Sequence, residues 1–213
     1  MNNLLNYLLK LTTIICNFIF CYNMPHLFLS SDISQTIKLF IDKAKIEPKN
    51  TKVIFIADGA EPYKFSGEDA PWIKTDRQAF LKEGFKVEEI CLENLNKIIP
   101  TIPIPDVEAN FNSPFSTSSD LNSFILHFCG GNTLYLLNKI RKCNLVATIQ
   151  NLVLSDQIIY SGSSAGSMIV APDLSIKKDL NDEPETWAKY LSDFTDYSGL
   201  NLVDFRLYGK NSW

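Results

Sequence analysis

The sequence has few of the features that identify metal-dependent or nucleic-acid-binding proteins. Among its 213 residues there are only two histidines, His26 and His127, which argues against a histidine-based metal site. Its 20 Lys and Arg against 24 Asp and Glu give a net charge of −4, and no basic stripe is present. Neither a G-x-G-x-x-G pattern nor a P-loop lysine occurs. We therefore expect no metal, no cofactor and no nucleic-acid partner.

Cysteine pairs with metal-binding or redox spacing are also missing. The five cysteines form no C-x-x-C pair, and they lie mostly in apolar runs; they are Cys16, Cys21, Cys91, Cys129 and Cys143. An odd number without such spacing predicts reduced, buried thiols and a cytoplasmic protein.

An apolar segment, Leu11–Tyr22, lies within the first 23 residues, but it is too short and too polar to predict a membrane span. No basic region precedes it and no small-x-small cleavage site follows it. We interpret residues 1–23 as an apolar extension, either a misassigned start or a leader for export or membrane association. Residues 24–213 then form one domain. The oligomeric state stays open.

Apolar runs of strand length alternate with amphipathic helical stretches over this domain, which predicts a three-layer α/β fold with a mostly parallel sheet. The predicted strands are His26–Ser30, Lys52–Ala57, Lys86–Cys91, Ser123–Phe128, Gln157–Tyr160 and Gly199–Phe205. The predicted helices are Ser34–Ala44, Trp72–Glu83, Thr133–Lys142 and Leu145–Leu154. A shorter helix is predicted after the turn Ser161–Ser167 and ends at about Val170.

The segment Gly162-Ser163-Ser164-Ala165-Gly166 matches G-x-S-x-G between a predicted strand and a predicted helix. In this context a tight turn projects the middle residue outward at a helix N-terminus, where backbone amides favour developing negative charge. The pattern indicates Ser164 as a nucleophile. The alternative is a strand–helix turn of small residues without chemistry.

A second glycine turn, Gly130-Gly131-Asn132-Thr133, also lies between a strand and a helix. In a parallel sheet both turns fall at the carboxyl ends of strands, where ligand sites form. The amides near Gly130 and Gly131, with that of Ala165, are candidates for an oxyanion hole. An ordinary glycine-rich connection is the alternative.

Several ordered motifs resemble the peptidase E family of aspartyl dipeptidases, whose fold is similar to class I glutamine amidotransferases and is flavodoxin-like. They are His26–Ser31, Arg77–Phe85, Gly130–Leu137, Ser161–Ile169, Ala171–Asp173 and Asp196–Phe205. The resemblance covers Met24–Phe205. It implies Ser164 as nucleophile, with Ala165 and the Gly130–Gly131 turn holding the oxyanion.

In this family the catalytic triad includes an acidic residue that follows the turn at Gly162–Gly166, which we call the elbow. Both Asp179 and Asp182 fit this position, and we favour Asp182. Relatives carry a Pro-His pair shortly after the counterpart of Val203–Phe205, where this chain reads Arg206–Trp213. The domain is accordingly expected to be incomplete at its C-terminus. His26 and His127 are predicted to be packing or edge residues.

The resemblance implies a serine peptidase that cleaves short peptides, including dipeptides with an N-terminal Asp. That preference requires a cation, and the only arginines are Arg77, Arg141 and Arg206. The alternatives are a family member without turnover that retains ligand binding, and an esterase-like hydrolase of another family.

Overall fold

The computed structural model describes residues 19–20, 26–63, 69–99, 124–175 and 188–206. Its strands are β1 (Ile19–Phe20), β2 (Leu27–Ser30), β3 (Lys52–Ile56), β4 (Lys86–Glu89), β5 (Phe124–Phe128) and β6 (Ile159–Ser163). Its α-helices are α1 (Ile33–Ala44), α2 (Pro71–Glu83), α3 (Leu92–Ile98), α4 (Thr133–Lys142), α5 (Val146–Leu154), α6 (Ala165–Met168) and α7 (Ala188–Leu191). Short 3₁₀ helices cover Pro48–Asn50 and Asp58–Tyr63. None of the described helices is long and apolar enough to cross a bilayer.

The six strands form one sheet in the order β1-β2-β6-β5-β3-β4. Strands β2 to β6 are parallel, and β1 pairs antiparallel with β2 at the edge. The carboxyl ends of the central strands therefore meet at one edge of the sheet, which is where sites form in this architecture. The predicted α/β fold with a mostly parallel sheet is confirmed.

Alternating side chains bury both faces of the sheet. Phe28, Val53, Phe55 and Ile125 pack against α1 and α2 on one face. Leu29, Ile54, Leu126, Phe128 and Tyr160 pack with α3 to α6 on the other face. Because both faces are covered, β2, β3 and β5 are largely apolar at consecutive positions, as parallel strands usually are.

Local signals fix the ends of the helices. Asp32 caps α1 by accepting a hydrogen bond from the Ser34 amide at 2.8 Å, and Asn132 caps α4 in the same way through the Tyr135 amide at 2.8 Å. Helix α2 begins at Pro71 and is ended by Gly84, whose φ of 94° is readily adopted by glycine. These caps place the first turns of α1 and α4 at the carboxyl edge of the sheet.

Two predictions from the sequence are wrong. Residues Gly199–Phe205 do not form a strand, because their amides bond to the turn after α6: Leu200 to Ile169 and Leu202 to Val170, at 2.7 and 2.8 Å. Cys91 is an exposed free thiol rather than a buried one, whereas Cys129 is buried.

A polar cluster stabilises the contact between α4 and the loop after β3. The Lys139 ammonium lies 2.9 Å from Asp58 Oδ1 and 3.1 Å from Glu93 Oε1, and it also contacts Glu61. Burial lowers the pKa of Lys139, but hydrogen bonds to Glu61 and Asp58 outweigh this and raise it above its ordinary value. Burial raises the pKa of Asp58, and the Lys139 hydrogen bond opposes that shift.

Replacement of Lys139 by Met should destabilise the protein, because it leaves the Asp58 carboxylate, 3% exposed, without a cation. Loss of one partner of a buried pair costs about 3 kcal/mol of unfolding free energy. The matched control is Lys142→Met on the same helix, where the pair with Asp193 is exposed and contributes little to stability. Urea unfolding measures both; equal losses in the two variants would contradict the assignment.

Candidate active site

Ser164 stands at the end of β6, in a backbone conformation that few non-glycine residues adopt. Its φ and ψ are 49° and −108°, and α6 begins at the next residue, Ala165. The Ser164 amide donates to the Ser30 carbonyl at 2.9 Å, and its carbonyl accepts from Ser167 at 2.9 Å. The side chain is exposed. Such strain is maintained only where the surrounding structure holds it, and it is concentrated at functional sites.

The neighbouring glycines are required by close approach of the backbone. A Cβ at Gly166 would lie 2.1 Å from the Phe128 carbonyl oxygen, and one at Gly162 would lie 2.5 Å from the Gly166 backbone. No side chain fits in these spaces. The turn thus seats α6 directly on the end of β5 and holds Ser164 clear of the sheet.

Buried hydroxyl groups hold the turn from below. Ser167 Oγ accepts from the Ser30 amide at 3.0 Å and donates to the Gly162 carbonyl at 2.6 Å. Tyr160, fully buried, donates to the Gly166 carbonyl at 2.6 Å. Ser163 Oγ accepts from the Ile33 amide at 3.2 Å and so connects the turn to α1.

The Gly130–Gly131 turn lies against this elbow. A Cβ at Gly130 would be 3.4 Å from Ser164 Cβ, and one at Gly131 would be 2.1 Å from the Gly59 carbonyl oxygen. Among the described residues, no backbone carbonyl accepts from the amides of Gly131 or Ala165. The first-turn amides of a helix have no acceptor within it. The structure therefore brings together Ser164, Ala165 and both glycines that the sequence singled out.

A cavity of about 560 Å³ opens beside Ser164. The indole of Trp72 forms part of its wall, donating to the Gly130 carbonyl at 3.3 Å and meeting Tyr63 edge to face. The other residues that line it include Ser31, Asp32, Pro71, Thr75, Asp76, Gly131 and Ser163. This volume suits a small ligand such as a short peptide.

Neither histidine contacts Ser164. His127 is fully buried, and its Nδ1 lies 3.0 Å from Ser161 Oγ, beneath the turn. His26 precedes β2 at the amino end of the sheet, 3.8 Å from Asp156. The length of a four-residue strand, about 13 Å, separates that end from the elbow. Both histidines are packing or edge residues, as predicted.

Asp76 and Cys129 lie next to His127 under the cavity. The Cys129 thiol donates to Asp76 Oδ2 at 3.3 Å, and His127 Nε2 lies 3.9 Å from the same oxygen without a hydrogen bond. Burial, together with the Asp76 charge, raises the pKa of Cys129, so this thiol is not an activated nucleophile. In the described ranges no three His, Cys, Asp or Glu side chains are grouped so as to hold a metal ion.

The predicted acidic member, Asp182, and its alternative, Asp179, lie outside the described residues. The three arginines are engaged away from the cavity lining. Arg77 pairs with Asp69 and Glu89, Arg141 pairs with Asp196, and Arg206 pairs with Asp173.

The sequence reasoning missed Trp72 and Asp76 as lining residues. Asp76 could have been found, because it lies with Ile73, Ala79 and Phe80 on the buried face of α2, where a carboxylate is unusual. Trp72 gave no comparable signal, since an aromatic residue in the first turn of a helix is common.

Comparison with known proteins gives a family match to the part of the chain that contains Ser164. Residues 119–210 match the sequence model of peptidase family S51. No curated protein matches the chain. A crystal structure described as a "Putative Peptidase E Protein" from Listeria monocytogenes EGD-e is 22% identical, with a TM-score of 0.63, over 84% of this chain and 76% of that chain. A peptidase from an acI-B1 Actinobacterium is 15% identical, with a TM-score of 0.46, over 83% and 80% of the two chains.

The S51 match includes β5, the Gly130 turn, β6 and the Ser164 elbow. The likeness to the Listeria protein shows a shared fold that extends over most of the chain. Together they support the predicted resemblance to peptidase E: the part of the chain that contains Ser164 matches the S51 sequence model, and the fold is that of the Listeria protein.

Replacement of Gly166 by Ala should destabilise the protein, because the new Cβ meets the Phe128 carbonyl at 2.1 Å. Such overpacking costs about 3 kcal/mol of unfolding free energy. Gly130→Ala is the matched control, since its Cβ would make only ordinary contacts from 3.4 Å outward. Guanidinium unfolding compares the two, and a Gly166 variant as stable as the Gly130 variant would refute the close approach.

Proposed function

We propose that this peptidase E-like chain is a serine peptidase that hydrolyses short peptides, with Ser164 as its nucleophile. The observation that carries the proposal is an exposed, strained serine at a strand–helix elbow, beside a cavity of about 560 Å³. Strained, exposed serines at such elbows are typical of acyl-transfer enzymes. The S51 match over residues 119–210 supports a peptidase. We also propose that the protein is located in the cytoplasm.

In the proposed reaction, Ser164 Oγ attacks the carbonyl carbon of a peptide bond and loses its proton to a base. The resulting tetrahedral intermediate collapses when the C–N bond breaks and the amine leaves with a proton. Water then attacks the acyl-enzyme ester and releases the second product and free Ser164. This order follows from the chemistry of a serine nucleophile.

The oxyanion of that intermediate would be held by the amides of Ala165 and of the Gly130–Gly131 turn. The support is their position: Gly130 lies directly against Ser164, and Ala165 begins α6. Each donor aimed at developing charge contributes about 3 kcal/mol to transition-state stabilisation. Gly131 has a second constraint, its contact with Gly59, which fixes the orientation of the turn.

The acidic partner remains a prediction at Asp182, with Asp179 as the alternative.

A second candidate function, ligand binding without turnover, is favoured by one observation: neither of the two histidines of the sequence contacts Ser164. A serine hydroxyl is a weak nucleophile unless a base accepts its proton. The two functions therefore differ in the reactivity of Ser164 and not in the cavity.

Short peptides are the proposed substrates, and the preference for an N-terminal Asp stays a prediction. A substrate carboxylate needs a cation, and no Lys or Arg belongs to the cavity lining within the described ranges.

A fluorophosphonate probe, which reacts with activated serines, should label the chain at Ser164. Activation raises the rate of phosphonylation far above that of an ordinary hydroxyl, so labelling should be complete within minutes and absent from Ser164→Ala. Intact mass spectrometry, followed by peptide mapping, measures both.

Ser155→Ala is the matched control, since Ser155 is an exposed serine that hydrogen-bonds within α5 and lies outside the cavity lining. It should label as the parent does. Labelling of the parent no faster than of Ser164→Ala, with peptide binding intact, would reject the peptidase and leave ligand binding without turnover.

A further inference from the structure

We propose that Asp76 binds a cationic group of the substrate in the cavity beside Ser164. The group is either the free α-ammonium of a short peptide or the ammonium or guanidinium of its first side chain. The inference rests on the proposed function for the identity of the ligand as a peptide, and it names the charge that the site selects.

The charge of the lining comes from acidic residues alone. Asp32 and Asp76 are its two ionisable carboxylates, and no Lys or Arg accompanies them in the described part of the chain. In a concave site with low-dielectric walls, like charges reinforce one another and concentrate counter-ions. The described part of the lining therefore favours a positive group over a negative one.

Asp76 is a carboxylate in a buried position with incomplete partners. It is 4% exposed, yet it belongs to the lining of the cavity. Its Oδ2 accepts from the Cys129 thiol at 3.3 Å, and within the described residues nothing donates to Oδ1. A buried carboxylate is costly unless a cation or several hydrogen bonds compensate it. A ligand cation at Oδ1 would supply what the protein does not.

Neither Arg77 nor His127 donates a hydrogen bond to Asp76. Arg77, the next residue, directs its guanidinium over the Phe55 ring and onto Glu89 and Asp69. His127 Nε2 lies 3.9 Å from Oδ2 and makes no hydrogen bond to it. The Asp76 carboxyl group thus retains hydrogen-bonding capacity for a ligand in the cavity.

Asp32 is less suited to this role. One of its oxygens accepts from the amide and the hydroxyl of Ser34, at 2.8 and 2.6 Å, and the other accepts from Gln35 at 2.8 Å. Its carboxylate caps α1 and is already satisfied. Asp76 and Asp32 therefore serve as test and control. Both line the cavity, but only the Asp32 carboxylate has hydrogen bonds to both of its oxygens.

The test is calorimetric binding of three peptides to the full Ser164→Ala chain, which cannot hydrolyse them. The peptides are Ala-Ala-Ala, N-acetyl-Ala-Ala-Ala and N-acetyl-Lys-Ala-Ala. A charge-assisted hydrogen bond lost without replacement weakens binding by about tenfold or more. If Asp76 binds the α-ammonium, both acetylated peptides should bind about tenfold more weakly. If it binds a side-chain cation, the lysine peptide should bind about tenfold more tightly than either alanine peptide.

Addition of Asp76→Asn should remove the preference for the cationic peptide, whereas Asp32→Asn, which retains a helix-capping side chain but removes the more distant charge, should reduce the preference only in part. Equal affinities for the three peptides, no binding of any of them, or a loss confined to Asp32→Asn would each overturn the inference. The comparison among peptides uses native Asp76, so it stands even where the Asp76 variant fails to fold.

Failure of this inference is distinguishable from failure of the proposed function. Probe labelling at Ser164 together with equal affinities retains the peptidase and rejects the role of Asp76. Cation-dependent binding without labelling retains Asp76 and rejects the peptidase.

Discussion

The site depends on the close approach of backbone segments that leaves room for hydrogen but not for carbon. Gly166 meets the end of β5, Gly162 meets Gly166, and Gly131 meets Gly59. These contacts lie at the carboxyl ends of β3, β5 and β6, where Ser164 adopts a positive φ. Hydroxyl groups of Ser167 and Tyr160 then bond the carbonyls that the turn exposes. The strain at one residue is thus maintained by packing at several others.

Much of this arrangement could be predicted from the sequence, because it follows from local patterns. Apolar runs and amphipathic stretches predicted the alternation of strands and helices, and G-x-S-x-G predicted the elbow. The end of β6 was harder to predict. Its last residues, Ser161–Ser163, have poor strand propensity, yet they pair with β2 on one side and β5 on the other. Pairing on both sides overrides propensity in a central strand. The mistaken strand at Gly199–Phe205 shows the reverse, since its extended pattern serves a loop contact.

Contacts between distant parts of the chain were beyond local reasoning. Asp76, His127 and Ser161 lie on α2, β5 and β6, and only the tertiary fold brings them together under the cavity. The sequence contained one clue, a carboxylate on the apolar face of α2. It contained no sign that His127 bonds to Ser161 and not to Ser164. Ser161 lies within β6 and pairs with His127 on the neighbouring strand, whereas Ser164, three residues later, lies after β6 ends.

The far edge of the sheet has a consequence of its own. Among the described strands, β4 pairs with β3 alone, and it presents Lys86, Glu88 and Glu89 as exposed charges along a short edge. Lys52 and Arg77 bond to those two glutamates from neighbouring elements. A charged, four-residue edge is a poor template for another strand, since a docking strand would have to desolvate these ion pairs. The composition of β4 thus protects the molecule from edge-to-edge aggregation at that side.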